Sequence, residues 1–241
     1  MIKREAIAKQ FYIDDHAVVY GLLAKAADQL YGERGMKASA RATVLYACER
    51  GRRMAKRASR DGYPLTPAVY RIYTEWADEQ KRMKVETLQL SPNYRMNGTY
   101  CVWNETWKQH HLEKYGEIYC TYVDKTMVKA FNPGNELIIH SAQSLGGPGC
   151  DFEWPGLCYE NEEPADDAVF VNRRGLKTIQ TPGCGEGFPV PLRPHGFRHG
   201  AGICAGAWAG GIGPDRVPGP GGILRPVRQG EGGSRDPGIG T

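Results

Sequence analysis

The chain has 241 residues, enough for one domain with a real core plus an appendage, and its formal net charge of +4 is mild. Lysine and arginine are spread along it apart from the Arg50 to Arg60 stretch, which argues against a nucleic-acid partner, and no run approaches the roughly 18 apolar residues of a membrane span. Asp14, Asp15 and His16 interrupt any apolar segment after the charged start, so a cytoplasmic protein is expected.

Helical periodicity runs from about Asp15 to Arg60, with Val18, Leu22, Ala26 and Leu30 at near 3.6-residue spacing and Gly32 as a stop. A second helix is expected from about Ala38 to Ser59, its apolar side formed by Val44, Leu45, Cys48 and Met54, with Asp61-Gly62 at its end. Pro64-Leu-Thr-Pro67 opens a third, in which Val69, Ile72, Tyr73 and Trp76 recur and which runs out near Met83 or Val85. After Pro92 the composition turns aromatic and β-branched, and Thr99 to Trp103 reads as a strand. Thr106 to Tyr115 reads as a helix stopping at Gly116, and Glu117 to Ala130 as another, broken by Pro133-Gly134. Glu136 to Leu145 and Cys150 to Trp154 read as strands joined by Gly146-Gly-Pro-Gly149 in an antiparallel hairpin. The expected fold is therefore α+β, with an N-terminal helical layer packed on a small antiparallel sheet in a single domain over residues 1–180. Residues 181–241, dense in glycine, proline and arginine, lack both hydrophobic periods and read as a low-complexity tail.

Seven cysteines, at 48, 101, 120, 150, 158, 184 and 204, are an odd number without an export signal, so most are expected to be free thiols. No C-x-x-C pair occurs, and His195-x-x-x-His199 lies among glycines and prolines that oppose a helix; neither metal nor cofactor is expected.

The residues whose types point to chemistry lie between 119 and 154. Cys120 and Asp124 stand one helical turn apart, which brings their side chains onto one face. A carboxylate beside a thiol raises its pKa, so Asp124 suits a general base for water or an anchor for a cationic amidine better than an activator of Cys120. Packing is the bland alternative for both. Cys150 and Phe152 share one face of their strand and either pack or line the same pocket. In Arg50-Gly-Arg-Arg53 the glycine costs helix stability, by about 1 kcal/mol relative to alanine, which hints at close packing or a site. An arginine there suits a substrate carboxylate. Tyr100, Trp103, Trp107, Tyr115, Tyr119 and Tyr122 form either core or a pocket wall, and His110, His111 and His140 read as surface or core residues.

Taken together and in order, Tyr46-x-x-Glu-Arg-Gly51-Arg-Arg-Met-Ala55, Tyr119-Cys-x-x-Val-Asp124, Phe131-Asn-Pro133 and Gly-x-x-Cys150-Asp-Phe-Glu-Trp154 resemble the L-2-amino-thiazoline-4-carboxylic acid hydrolase family. The similarity spans about Phe11 to Trp154. Ala130 departs from the glycine the family tends to carry before Phe-Asn-Pro, and the Gly146 to Gly149 turn is unusually glycine-rich. The resemblance implies hydrolytic opening of a small cyclic isothiourea to a carbamoyl-cysteine, with Cys120 and Asp124 as catalytic groups. Arg50, Arg53, Tyr119, Phe131, Asn132, Cys150 and Trp154 are the expected substrate contacts. The expected partner is a small-molecule substrate, with no nucleic acid and no membrane, and self-association is left open. Two other classes stay open: a small-molecule sensor that does not turn its ligand over, and a helical scaffold.

Overall fold

A computed structural model describes residues 12–74 and 82–159. Trp76 and the tail beyond Pro182 lie outside the described residues. The elements in chain order are α1 (Ile13–Tyr31), α2 (Glu33–Arg60), α3 (Pro67–Tyr73), β1 (Lys84–Gln89), β2 (Tyr94–Tyr100), α4 (Val102–Gln109), α5 (Glu113–Phe131), β3 (Ile138–Ser141), a 3-10 turn (Gln143–Leu145) and β4 (Cys150–Trp154). The fold is α+β: helices come first, then a four-stranded antiparallel sheet in the order β1-β2-β4-β3.

Helix α1 starts where Asp15 reaches back to accept from the Tyr12 amide at 2.8 Å, and Asp14 and Asp15 complement the helix dipole in the first turn. Its buried line is Ile13, Ala17, Gly21 and Ala24, whereas Leu22 and Leu30 of the expected apolar stripe are 52% and 72% exposed. Close approach decides this. Trp107 Nε1 donates to the Ala17 carbonyl at 2.9 Å, and a methyl at Gly21 would lie 2.7 Å from Leu112, so only small side chains fit at this contact. Gly32, at φ +56°, turns the chain directly into α2, which therefore begins five residues before the expected Ala38. On α2, Val44, Cys48 and Met54 are buried as read, but Leu45 is 54% exposed.

Three further expectations are corrected. α3, capped by Thr66 Oγ1 on the Val69 amide at 3.3 Å, is followed by strand β1, so Val85 lies in a strand and not at a helix end. The strand expected at Thr99 to Trp103 is displaced: β2 ends at Tyr100, and Val102 already opens α4, which buries Val102, Asn104, Thr106 and Trp107. Gly116 stops nothing. The helical break falls at His111, φ +53°, and α5 runs through Gly116 because Trp107 lies on it, where a methyl would meet the indole at 2.2 Å. β3 and β4 do pair antiparallel, but β3 is four residues long and the connection carries the 3-10 turn.

The register gives the sheet two unlike faces. Tyr94, Met96 and Gly98 of β2 pair with Trp154, Phe152 and Cys150 of β4 on the inner face, towards the helices; Arg95 and Asn97 pair with Glu153 and Asp151 on the outer face. Tyr70 of α3 packs edge-on against Phe131 at 5.5 Å and against Trp154 at 5.4 Å, tying helices to sheet. Cys101, Cys120 and Cys150 are free, in line with the expectation for most of the thiols, while Cys48 and Cys158 are disulfide-bonded. No helix among the described residues is long and apolar enough to cross a membrane.

Candidate active site

One turn of α5 carries Cys120 and Asp124 on the face that meets the 3-10 turn and the start of β4. Ser144 of the 3-10 turn lies beside Cys120, and Cys150 stands close enough for its charge to act on both Cys120 and Asp124. Cys101, between β2 and α4, lies within electrostatic range of both Cys120 and Cys150. Three free thiols and one carboxyl thus converge from three segments. Glycines make the approach possible. Gly98 lies opposite Cys150, and a methyl there would press on the Cys150 side chain at 3.3 Å. The turn before β4 is tied down by Gln143 Nε2 donating to the Thr99 carbonyl and Ser141 Oγ donating to the Gly149 carbonyl, each at 2.9 Å. This holds the Gln143 amide on Cys150 Sγ at 3.5 Å.

The other side is built by α2. Gly51 is the point where α2 crosses α5: a methyl there would sit 2.5 Å from the Met127 carbonyl and 2.8 Å from the Ala130 side chain. That crossing brings the preceding residue, Arg50, against Tyr46, over whose ring its guanidinium lies at 5.2 Å, and within electrostatic range of Tyr70 and Tyr119. Both tyrosines also feel Asp124. Tyr119 is stacked on Trp103 at 4.8 Å and edge-on to Tyr20 at 4.7 Å, and Tyr20 Oη hydrogen-bonds Thr43 Oγ1 at 2.9 Å. Of the aromatic strip, Trp103, Trp107 and Tyr119 form one cluster, whereas Tyr115 donates to Asp28 at 3.1 Å and Tyr100 is 37% exposed.

The protonation states separate the groups. Burial drives the Asp124 carboxyl up to about 7, and the charge of Cys150 adds to this. Cys120 is pushed well up by burial and then by Asp124, with Ser144 opposing. Cys101 is pushed up, first because it donates to Cys150 and second by burial. Cys150 alone moves down, to about 7, because Cys101 and the Gln143 amide donate to its sulfur against the cost of burial. Cys150 is thus the thiol drawn towards ionisation, within electrostatic range of a carboxyl that near neutral pH holds or loses a proton with little change in free energy.

The remaining expected contacts are placed as follows. Phe131 is buried beneath Tyr70, and Trp154 packs on the same ring with its Nε1 buried and lacking a hydrogen-bond partner among the described residues. Asn132 is committed to the backbone, donating to the Leu65 carbonyl at 2.7 Å and accepting from the Gly134 amide at 2.9 Å, so it shapes the end of α5. Arg53 lies on the exposed side of α2. His140 pairs with Glu153 at 2.8 Å on the outer face, and His110 and His111 are exposed. Sequence reasoning did not single out Cys101, Gln143, Ser144, Tyr20 or Tyr70. Cys101 carried the one available signal, a further thiol inside the stretch expected to be a strand, but its nearness to Cys150 is a tertiary contact that no local pattern encodes.

The sequence profile of the L-2-amino-thiazoline-4-carboxylic acid hydrolase family matches residues 12–154. The chain belongs to that family. The match ends at Trp154, the last residue of β4, so it takes in every element that builds the thiol and carboxyl cluster. No curated protein and no solved structure matches the chain. Among the described residues no group of three or more His, Cys, Asp and Glu side chains is arranged to hold a metal ion.

Proposed function

We propose that the protein hydrolyses a small cyclic C=N compound, of which the 2-aminothiazoline carboxylate in the family's name is the type, with Cys150 as nucleophile and Asp124 as acid and base. The observation behind this reading is the pairing, at neutral pH, of the one thiol drawn downward with a carboxyl raised to about 7. Cys120, expected as a catalytic group with packing as its alternative, sits beside the acid that raises it, so in this reading it packs next to the reacting groups and does not attack.

The Cys150 thiolate adds to the ring carbon between nitrogen and sulfur. The ring bond to sulfur then breaks, since a thiolate, of ordinary pKa about 8.5, is a far better leaving group than a nitrogen anion. Asp124 gives its proton to the departing sulfur, leaving the substrate as an isothiourea on Cys150. The ionised Asp124 next takes a proton from water, whose oxygen adds to the same carbon. Collapse expels the Cys150 thiolate, the hydroxyl proton ends on the former ring nitrogen, and the product is a carbamoylated amine with a free thiol. One water has been added. Arg50, beside the α2 and α5 crossing, would take the substrate carboxylate in a bidentate pair.

The test is incubation with 2-aminothiazoline-4-carboxylate, followed by mass spectrometry for gain of one water and titration of the thiol released. The expected result is both signals in the natural protein and neither in Cys150→Ala. Full turnover in Cys150→Ala would return the chemistry to water activated by Asp124 alone, and a binding signal without product would leave a ligand-binding module.

A further inference from the structure

The outer face of α1 is apolar and open to water. Val19, Leu22, Leu23, Leu30 and Tyr31 are 49%, 52%, 68%, 72% and 65% exposed, and no Asp, Glu, Lys or Arg is among the exposed residues of this helix. Two of its acids are turned towards other elements, Asp14 pairing with Arg82 at 3.0 Å and Asp28 with Lys114 at 2.6 Å. The five apolar side chains leave on the order of 500 Å² in water, the size of patch that marks an interaction site. A helix that lies on a membrane surface carries Lys and Arg around such a stripe, and this face carries none. Its pattern is that of a helix-to-helix seam: Val19, Leu23, Ala26 and Leu30, all exposed, recur at intervals of four, three and four residues.

We propose that this face docks on the same face of a second copy of the chain, the two α1 helices running antiparallel about a twofold axis between Leu23 and Ala26. The seam is self-complementary in that arrangement. Leu23 of each copy lies opposite the partner's Ala26, and Val19 opposite the partner's Leu30, so every layer sets a larger side chain against a smaller one. The ends match in charge as well: Asp15, in the acidic first turn of α1, comes level with the partner's Arg34, which is exposed at the start of α2. Sliding the pair by one heptad would draw His16 into the seam and part Asp15 from that arginine. With its polar rim, the surface each copy contributes approaches the roughly 800 Å² of a standard interface. None of the seam residues belongs to the thiol and carboxyl cluster, so the dimer stands apart from the hydrolase reading.

The test is sedimentation velocity of the full chain at micromolar concentration, where it should run at twice its 26.7 kDa. Leu23→Glu and Leu30→Glu should each weaken the association by at least about 10²-fold and run at the mass of one copy. Helix content by circular dichroism should not change, because both side chains are exposed in the single copy. Val85→Glu, exposed on the edge strand β1, should remain a dimer. Mixing Leu23→Cys chains with Ala26→Cys chains and mapping disulfides by mass reads the register: the cross-link should join one variant to the other, and neither variant to itself. A natural chain that stays monomeric, whether another part of the chain or a different protein covers α1, overturns the proposal. So does a dimer that survives both glutamate variants, or one in which Leu23→Cys chains join each other.

Discussion

Cys150 and Asp151 are neighbours on one strand, yet they belong to regions with opposite electrostatics. Asp151 points to the outer face, where Arg95 Nε donates to it at 2.7 Å and holds its carboxyl below the ordinary range; Glu153 is lowered in the same way by His140 and Asn93. On the inner face Asp124 meets thiols and tyrosines, and burial raises it to about 7. The same residue type is thus a settled charge on one side of the sheet and a movable proton on the other. What distinguishes the two carboxyls is the company each keeps in space.

Asp124→Asn should break the contrast most. Turnover should fall by about 10²- to 10⁴-fold, as for loss of a general acid and base. Stability should move the other way. The folded pKa lies above the ordinary 3.8, so the folded state holds an extra proton between about 4 and 7 and loses stability as the pH rises through that window. Removing the ionisation should therefore stabilise the protein at pH 8, on the order of a few kcal/mol, with the gain vanishing near pH 4. Denaturant midpoints at the two pH values, beside steady-state rates, check both signs; a variant less stable than the natural protein at pH 8 contradicts the assignment.

Gly51→Ala sharpens the comparison, because it touches the site only through the helix crossing. The added methyl meets the Met127 carbonyl and must push α2 from α5, costing about 1–3 kcal/mol and shifting Arg50. KM should rise more than kcat falls, and thermal melts together with substrate titrations will show whether it does. The smallest effect is expected on the outer face. Asp151→Asn should change stability by less than about 1 kcal/mol at neutral pH and leave turnover unchanged. Since the folded pKa of Asp151 is depressed, the stability it supplies is present above its unfolded pKa and is lost as the pH falls through the folded one. Melting curves of the natural protein and the variant should therefore converge in acid.

How far the site was legible from sequence follows from its parts. Spacing alone put Cys120 and Asp124 on one helical face, because i and i+4 are neighbours on any α-helix. Alternation alone put Cys150 opposite Asp151 on its strand. Gly51 was legible as an anomaly with two readings, and the structure gives it to close packing. Cys101 was not legible, since its nearness to Cys150 depends on segments far apart in sequence. The outward-facing Leu22 and Leu30 were misread because periodicity identifies an apolar stripe but not which stripe a neighbour can approach closely.

Local sequence by itself determined the α+β order of elements and which residues share a helix or strand face, because both depend on the repeat of the backbone and on glycine and proline punctuation. The tertiary structure decided which thiol is drawn towards ionisation and which are held protonated. A sulfur's proton is governed by donors, charges and water within a few ångströms, and for Cys150 those are Cys101, its burial and the Gln143 backbone amide, which tertiary contacts bring together.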